Sequence, residues 1–255
     1  MKDVPTWIAE GTVLPCNLIR EETNDVFISK KFPSIRQLPD GAVIGSASLR
    51  RQAQLLAMNP SWQVVTFRGN VQTRLGKLTN GTSCKTFFSP SVMSLVGVVD
   101  ATLLALAGLK RLNMSDLIQQ SEVLGMETML PAVAQGAIGI QCRADDSRML
   151  QYLSALNHSP TKSCVDAERA FLAELDGNCR TPIAGQAKVV DGRIEFRGII
   201  SKPDGSDLIR VERAGEISAA VQIGRDAGKE VKLIAGAKFI EYQQAMNAVQ
   251  GGWKK

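Results

Sequence analysis

Short apolar runs alternate with stretches of helical period through the first half of the chain. Residues 41–45, Gly-Ala-Val-Ile-Gly, predict a buried strand closed by glycine. Ser48 stands where a helix N-cap is expected, and residues 49–58 continue with helical character. The β-branched run 64–67 predicts a second strand, Arg68-Gly69-Asn70 a turn, and 71–78 a second helix. Residues 100–106 predict a further strand, followed by Gly108 and the basic pair Lys110-Arg111. Strand, loop and helix repeated in this way predict a mostly parallel α/β sheet. Ligands of such sheets sit beyond the carboxyl ends of the strands, where helix N-termini point. Residues 46–51 and 68–74 fall at those positions.

The pattern changes near Asn157. Residues 168–175 predict a helix ended by Asp176-Gly177-Asn178, and runs 185–190 and 193–200, separated by Asp191-Gly192, predict a hairpin. Residues 216–235 predict a long helix. This C-terminal part is expected to form a separate small α+β unit. Residues 79–99 fit neither pattern: turn residues open the segment, its tail is apolar, and Lys85 is its one charge.

At 255 residues, with 44% hydrophobic and 22% charged side chains, the composition is that of an ordinary globular protein of one large or two to three small domains. The most apolar stretch, 92–109, is broken by Gly97 and Asp100, so no membrane span is expected. The opening MKDVPTWIAEG has neither the basic nor the apolar region of a secretory signal. Five scattered cysteines and one histidine show no C-x-x-C pair and no zinc spacing. Neither a disulfide framework nor a metal site is expected, and a reducing compartment is.

The net charge of +5 is unevenly placed. Between Gly41 and Val99 there is no Asp or Glu, yet the stretch carries Arg50, Arg51, Arg68, Arg74, Lys77 and Lys85. Such a one-signed stretch is a candidate anion site, with a merely solvated basic face as the alternative. Arginine forks bind carboxylates in bidentate fashion, which suits a ligand bearing several of them. Nucleic acid is the competitor, but the basic residues are not interleaved with aromatics and no recognition helix is evident. Cys179 lies on a glycine-containing loop beside Arg180, a setting that favours thiolate; a lone loop cysteine is otherwise a structural residue. Lys2-Asp3, taken alone, is a charged chain end.

Six ordered stretches make the chain resemble hydroxymethylbilane synthase (porphobilinogen deaminase): MKDVP, VIGSASLRRQAQL, FRGNVQTRLGKL, LALAGLKRL, LPAVAQGAIGIQCRADD and LDGNCRTPIAG. Their wording is nearest the plant and algal plastid branch. The resemblance implies two domains with the fold of type II periplasmic binding proteins, the site between them, and a small α+β third domain. On this chain domain 1 would be represented by residues 1–23 and 130–155, domain 2 by 24–129, and the C-terminal domain by 156–255. It implies a dipyrromethane cofactor held by a thioether to Cys179. Asp3 would be the catalytic carboxylate, and Lys2, Ser48, Arg50, Arg51, Arg68, Gly69 and Arg74 would bind cofactor. Arg50, Arg51, Arg74 and Arg111 would bind porphobilinogen, four molecules of which the family condenses and releases as hydroxymethylbilane. A monomer in the plastid stroma is implied, without metal, nucleic acid or membrane. The family carries a further segment ahead of KDVP, so this chain alone is expected to be poorly stable and weakly active or inactive. Family members also connect Lys77 to Asp100 with only a few residues, so 79–99 is expected to be a surface loop or translated intron.

Overall fold

A computed structural model of the chain describes residues 1–80, 83–89, 92–178, 181–239, 241, 242 and 244, with the backbone alone over 83–89 and 92–98. In chain order the elements are β1 (Thr12–Asn17), β2 (Asp25–Ser29), β3 (Val43–Gly45), α1 (Leu49–Met58), β4 (Gln63–Val65), α2 (Val71–Thr79), β5 (Ser83–Ser89) and β6 (Val92–Val98). They continue as β7 (Ala101–Ala105), α3 (Leu106–Arg111), α4 (Ser115–Gln119), β8 (Glu122–Val123), β9 (Gly139–Arg143), α5 (Ser147–Leu156) and α6 (Ser159–Glu174). The last are β10 (Ile183–Val190), β11 (Arg193–Ile200), β12 (Ile209–Glu216) and α7 (Ala220–Ala235). The chain divides into two compact units. One comprises Met1–Glu22, Leu130–Ile200 and Ile209–Lys255, and the other Thr23–Met129 with Ser201–Leu208.

The second unit is built on a five-stranded sheet of order β4-β3-β7-β2-β8. β3 runs parallel to β4 and β7, whereas β2 runs antiparallel to β7 and β8. The sheet is therefore mixed rather than mostly parallel. Parallel neighbours need a crossover, which α1 supplies between β3 and β4. β2 opens its unit with no crossover helix before it and is free of that constraint. Successive residues of a strand face opposite sides. Phe27 and Leu103 accordingly join Ile44 and Leu55 in one cluster, while Val26, Ile28 and Leu104 join Val65, Phe67 and Leu109 in another. Both faces are covered, which explains why these strands read as unbroken apolar runs.

The two helices that follow β3 and β4 start as their caps dictate. Ser48, in extended backbone, accepts from Arg51 N at 3.4 Å, and Asn70 Oδ1 accepts from Thr73 N at 2.8 Å. Residues 79–99, expected as a loop or intron, include the antiparallel ribbon β5–β6; residues 81, 82, 90 and 91 lie outside those described.

In the first unit α6 and α7 pack with the antiparallel sheet β10-β11-β12. Asp191 (φ 48°) and Gly192 (φ 75°) both take the left-handed backbone of the two-residue hairpin turn expected there. Phe171 and Phe196, ring centroids 5.0 Å apart, centre a core that also takes in Val133, Ala134 and Ala137. α6 begins well before residue 168. The sole histidine, His158, caps it through Nδ1, and Pro160 occupies its first turn, where a missing N–H costs nothing. β1 and β9 pair antiparallel beside this core.

Candidate functional site

The cations of the second unit are not equivalent. Arg50 and Arg51 leave the first turn of α1 and are buried, at 5% and 6% exposure. Both close on Asp25, the fully buried first residue of β2. Arg50 Nη2 donates to Asp25 Oδ2 at 2.8 Å, Arg51 Nε to Oδ2 at 3.1 Å and Arg51 Nη2 to Oδ1 at 2.7 Å. Arg51 Nη1 also donates to the carbonyl of Leu103 at 2.8 Å. Burial pushes the Asp25 carboxyl toward its neutral form, but the two guanidiniums outweigh it and hold the group well below the usual carboxylate range. Burial lowers the pKa of Arg50, and Arg51 adds to that against the pull of Asp25. Asp25 is the residue that sequence reasoning missed: the acid-free run 41–99 conceals a counter-charge brought in from another strand.

Around the start of α2 the arginines are more open. Arg68 and Gly69 are exposed and Arg74 is half-buried. Gly69 has φ 132°, a left-handed backbone that favours glycine, and a Cβ there would strike Thr73. Arg74 Nε donates to Gly69 O at 2.9 Å, and Lys77 Nζ to Arg68 O at 2.9 Å, so the turn and the helix hold each other. Burial lowers the Arg74 pKa, and the charge of Arg51 lowers it further. An anion at this surface relieves that repulsion. Ser48 is partly exposed at the N-terminus of α1, and Arg111 is exposed at the end of α3.

Lys2 and Asp3 stand in the first unit. Val4 N donates to Met1 O at 2.9 Å, closing a turn with Asp3 exposed on it. Lys2 Nζ donates to Gln135 Oε1 at 3.4 Å, and the Met1 amine to Ala137 O at 2.8 Å. The Gln135-Gly136-Ala137 stretch is itself fixed. Gly136 has φ 78°, and a Cβ there would run into the carbonyl oxygens of Glu21 and Glu22. Arg20 Nε donates to Gln135 O at 2.9 Å, while its Nη1 and Nη2 meet Glu168 at 2.6 and 3.0 Å. Fully buried Glu168 also accepts from Ala134 N at 2.6 Å and Ala187 N at 2.8 Å. One carboxylate thus joins α6, β10 and the segment behind Lys2.

Cys179 and Arg180 lie outside the described residues. On either side of them, Asn178 N donates to Thr181 Oγ1 at 3.1 Å and Thr181 Oγ1 to Asn178 O at 2.7 Å. Cys16 and Cys164 are buried. Burial, and then the charge of Glu168, push the Cys164 thiol up to about 11. That thiol is protonated at neutral pH and a poor nucleophile. Among the described residues no group of three or more His, Cys, Asp or Glu could hold a metal ion, and no helix is long and apolar enough to cross a membrane.

Fold and site together define a mixed α/β protein with an arginine-rich surface on one unit and an exposed, turn-borne carboxylate on the other. Residues 1–151 match the family model described as porphobilinogen deaminase, dipyromethane cofactor binding domain, and residues 162–232 match porphobilinogen deaminase, C-terminal domain. The chain belongs to the porphobilinogen deaminase family. It is 52% identical over 247 residues to the chloroplastic porphobilinogen deaminase of Oryza sativa subsp. japonica, covering 96% of this chain and 64% of that one. To the chloroplastic protein of Pisum sativum it is 50% identical over 243 residues, 94% of this chain and 61% of that one. To the porphobilinogen deaminase of Paracoccus denitrificans it is 46% identical over 242 residues, 95% of this chain and 72% of that one. The chain thus spans less than two thirds of the length of the two plant relatives.

Proposed function

We propose that the chain carries out the hydroxymethylbilane synthase reaction: stepwise deaminating condensation of four porphobilinogen molecules, then hydrolytic release of the linear tetrapyrrole. The observation that carries this reading is the exposed Asp3 carboxylate, set on a turn tied to Ala137 and Gln135 within the matched cofactor-binding domain. A carboxylate so placed accepts hydrogen bonds from pyrrole N–H groups and stabilises the positive charge that develops as ammonia leaves and a new carbon–carbon bond forms.

The residues present fit an acidic pyrrole cofactor. Arg74 is pressed by Arg51 and lacks an acid within its own stretch of chain, while exposed Arg68 and the donors at the α1 N-terminus lie in the same unit. Ser48, Arg68, Gly69 and Arg74, with Lys2, would hold dipyrromethane, and Cys179 would carry its thioether. When bound, that group supplies the nucleophilic pyrrole carbon that primes chain growth. Arg50 and Arg51, with forks on Asp25, would contribute charge, and Arg74 and Arg111 would take the acetate and propionate of incoming substrate. The same proposal includes the three-domain division at 1–23 with 130–155, 24–129 and 156–255, and the periplasmic-binding-protein-like fold of the first two. It also includes a monomeric state and a plastid location, the latter supported by the chloroplastic relatives.

The test is porphobilinogen consumption with detection of the linear tetrapyrrole. Asp3→Asn is expected to lower kcat by about 10²- to 10⁴-fold, and Arg74→Met to raise KM. Retention of porphobilinogen with no turnover in the unmutated chain would leave an anion-binding module or the inactive form expected from the sequence, and would refute turnover by this chain.

A further inference from the structure

Asp3 owes its position to a short stretch of backbone in no helix or strand. Its following residues, Val4, Pro5 and Thr6, present carbonyls to no ladder. All three are held instead by one side chain. Arg169, half-buried on α6, donates from Nη1 to Val4 O at 3.1 Å, and from Nη2 to Pro5 O at 2.6 Å and Thr6 O at 3.3 Å. A guanidinium offers several donors in one rigid plane, so a single arginine can gather consecutive carbonyls, which a point-like ammonium cannot. Two other tethers act ahead of Asp3, the Met1 amine on Ala137 and Lys2 on Gln135, and the Val4 N to Met1 O bond spans it. Arg169 ties the downstream side to α6, whose adjacent residue Glu168 is anchored in the core.

We propose that Arg169 is a positioning residue for Asp3: by clamping the carbonyls of Val4, Pro5 and Thr6 it fixes the turn on which the carboxylate stands. Its consequence for catalysis rests on the enzymatic role proposed above for Asp3; its consequence for order does not. In the sequence Arg169 sits in a helical stretch that suggests no contact with residues 4–6.

The test compares the whole chain with Arg169→Met, which keeps an apolar stem without donors, and Arg169→Lys, which keeps the charge without the fork. Backbone ¹⁵N relaxation reports order at Asp3, Val4 and Thr6, and steady-state kinetics report kcat and KM. In Arg169→Met the order parameters at these amides are expected to fall from about 0.85 to below about 0.6, with those of α6 unchanged. The kcat is expected to fall by about 10²-fold, the scale of a displaced catalytic group, at nearly constant KM. Arg169→Lys is expected to restore neither. Unchanged order at residues 3–6 would overturn the proposal, as would lost order with unchanged kcat or full rescue by lysine. An unmutated chain without turnover would sink the enzymatic reading instead, while the relaxation data would still decide whether Arg169 holds the segment.

Discussion

Asp25→Ala is expected to destabilise the second unit by about 3–5 kcal/mol, the usual consequence of removing one partner from a buried ion pair. The geometry places it at the upper end. Arg50 and Arg51 are both buried, and both converge on this one carboxylate at 2.7–3.1 Å. Without it, two guanidiniums remain close together inside a sheet protein. Urea denaturation of the whole chain, followed by a probe in the second unit such as buried Trp62, measures the change. Asp25→Asn is expected to be nearly as damaging, since it keeps the shape and loses the charge. The pH dependence carries the sign of the mechanism. The folded carboxyl titrates below its unfolded value of about 3.9. Its contribution is therefore complete above the unfolded value and is lost as pH falls from there through the folded one. The stability gap between the unmutated chain and Asp25→Asn should stay flat from pH 7 to 5 and shrink only below about pH 4. A gap that closed between pH 7 and 5 would contradict this assignment.

Glu168→Ala is the second large effect expected, again about 3–5 kcal/mol. The loss leaves Arg20, whose side chain is only 11% exposed, without its bidentate partner, and leaves the N–H groups of Ala134 and Ala187 buried without their acceptor. Burial lowers the Arg20 pKa, but the charge and hydrogen bonds of Glu168 raise it further than that, and the bidentate contact at 2.6 and 3.0 Å is what couples the two side chains. Denaturation of Arg20→Ala, Glu168→Ala and the double variant measures that coupling. The double variant should lose clearly less than the sum of the singles, because no buried charge is then left alone. Simple additivity would mean that the pair is not a unit.

Local features of this fold were legible because they depend on local chemistry. Ser48 caps α1 as its side chain and position suggest, and Asp191-Gly192 supplies the left-handed backbone of its hairpin turn. The pattern predicts α6 only from residue 168, yet the helix starts at Ser159, because a proline in the first turn suits a helix and His158 provides the cap. β12, Ile209–Glu216, gives no clear strand pattern because charged residues dilute its alternation. The Asp25 clamp was out of reach for a different reason. In the sheet β7 lies between β3 and β2, and Arg51 bonds to β7 at Leu103 as well as to Asp25 on β2. That proximity is created by strand order, in which residues 25 and 51 become neighbours only after the sheet closes. Of the candidate site, the basic cluster was legible but its burial was not: Arg68 is exposed and Arg74 half-buried, while Arg50 and Arg51 close on Asp25 in a buried ionic cluster. Arg169 showed no signal at all, because its partners are backbone carbonyls, which no residue pattern advertises.

The enzymatic account turns on Cys179. The most direct test is the intact mass of the purified chain after exposure to porphobilinogen, beside Cys179→Ser treated identically. The expected result is an increment matching dipyrromethane on the unmutated chain and none on Cys179→Ser. An unmodified mass in the unmutated chain, or an equal increment in Cys179→Ser, would contradict the account.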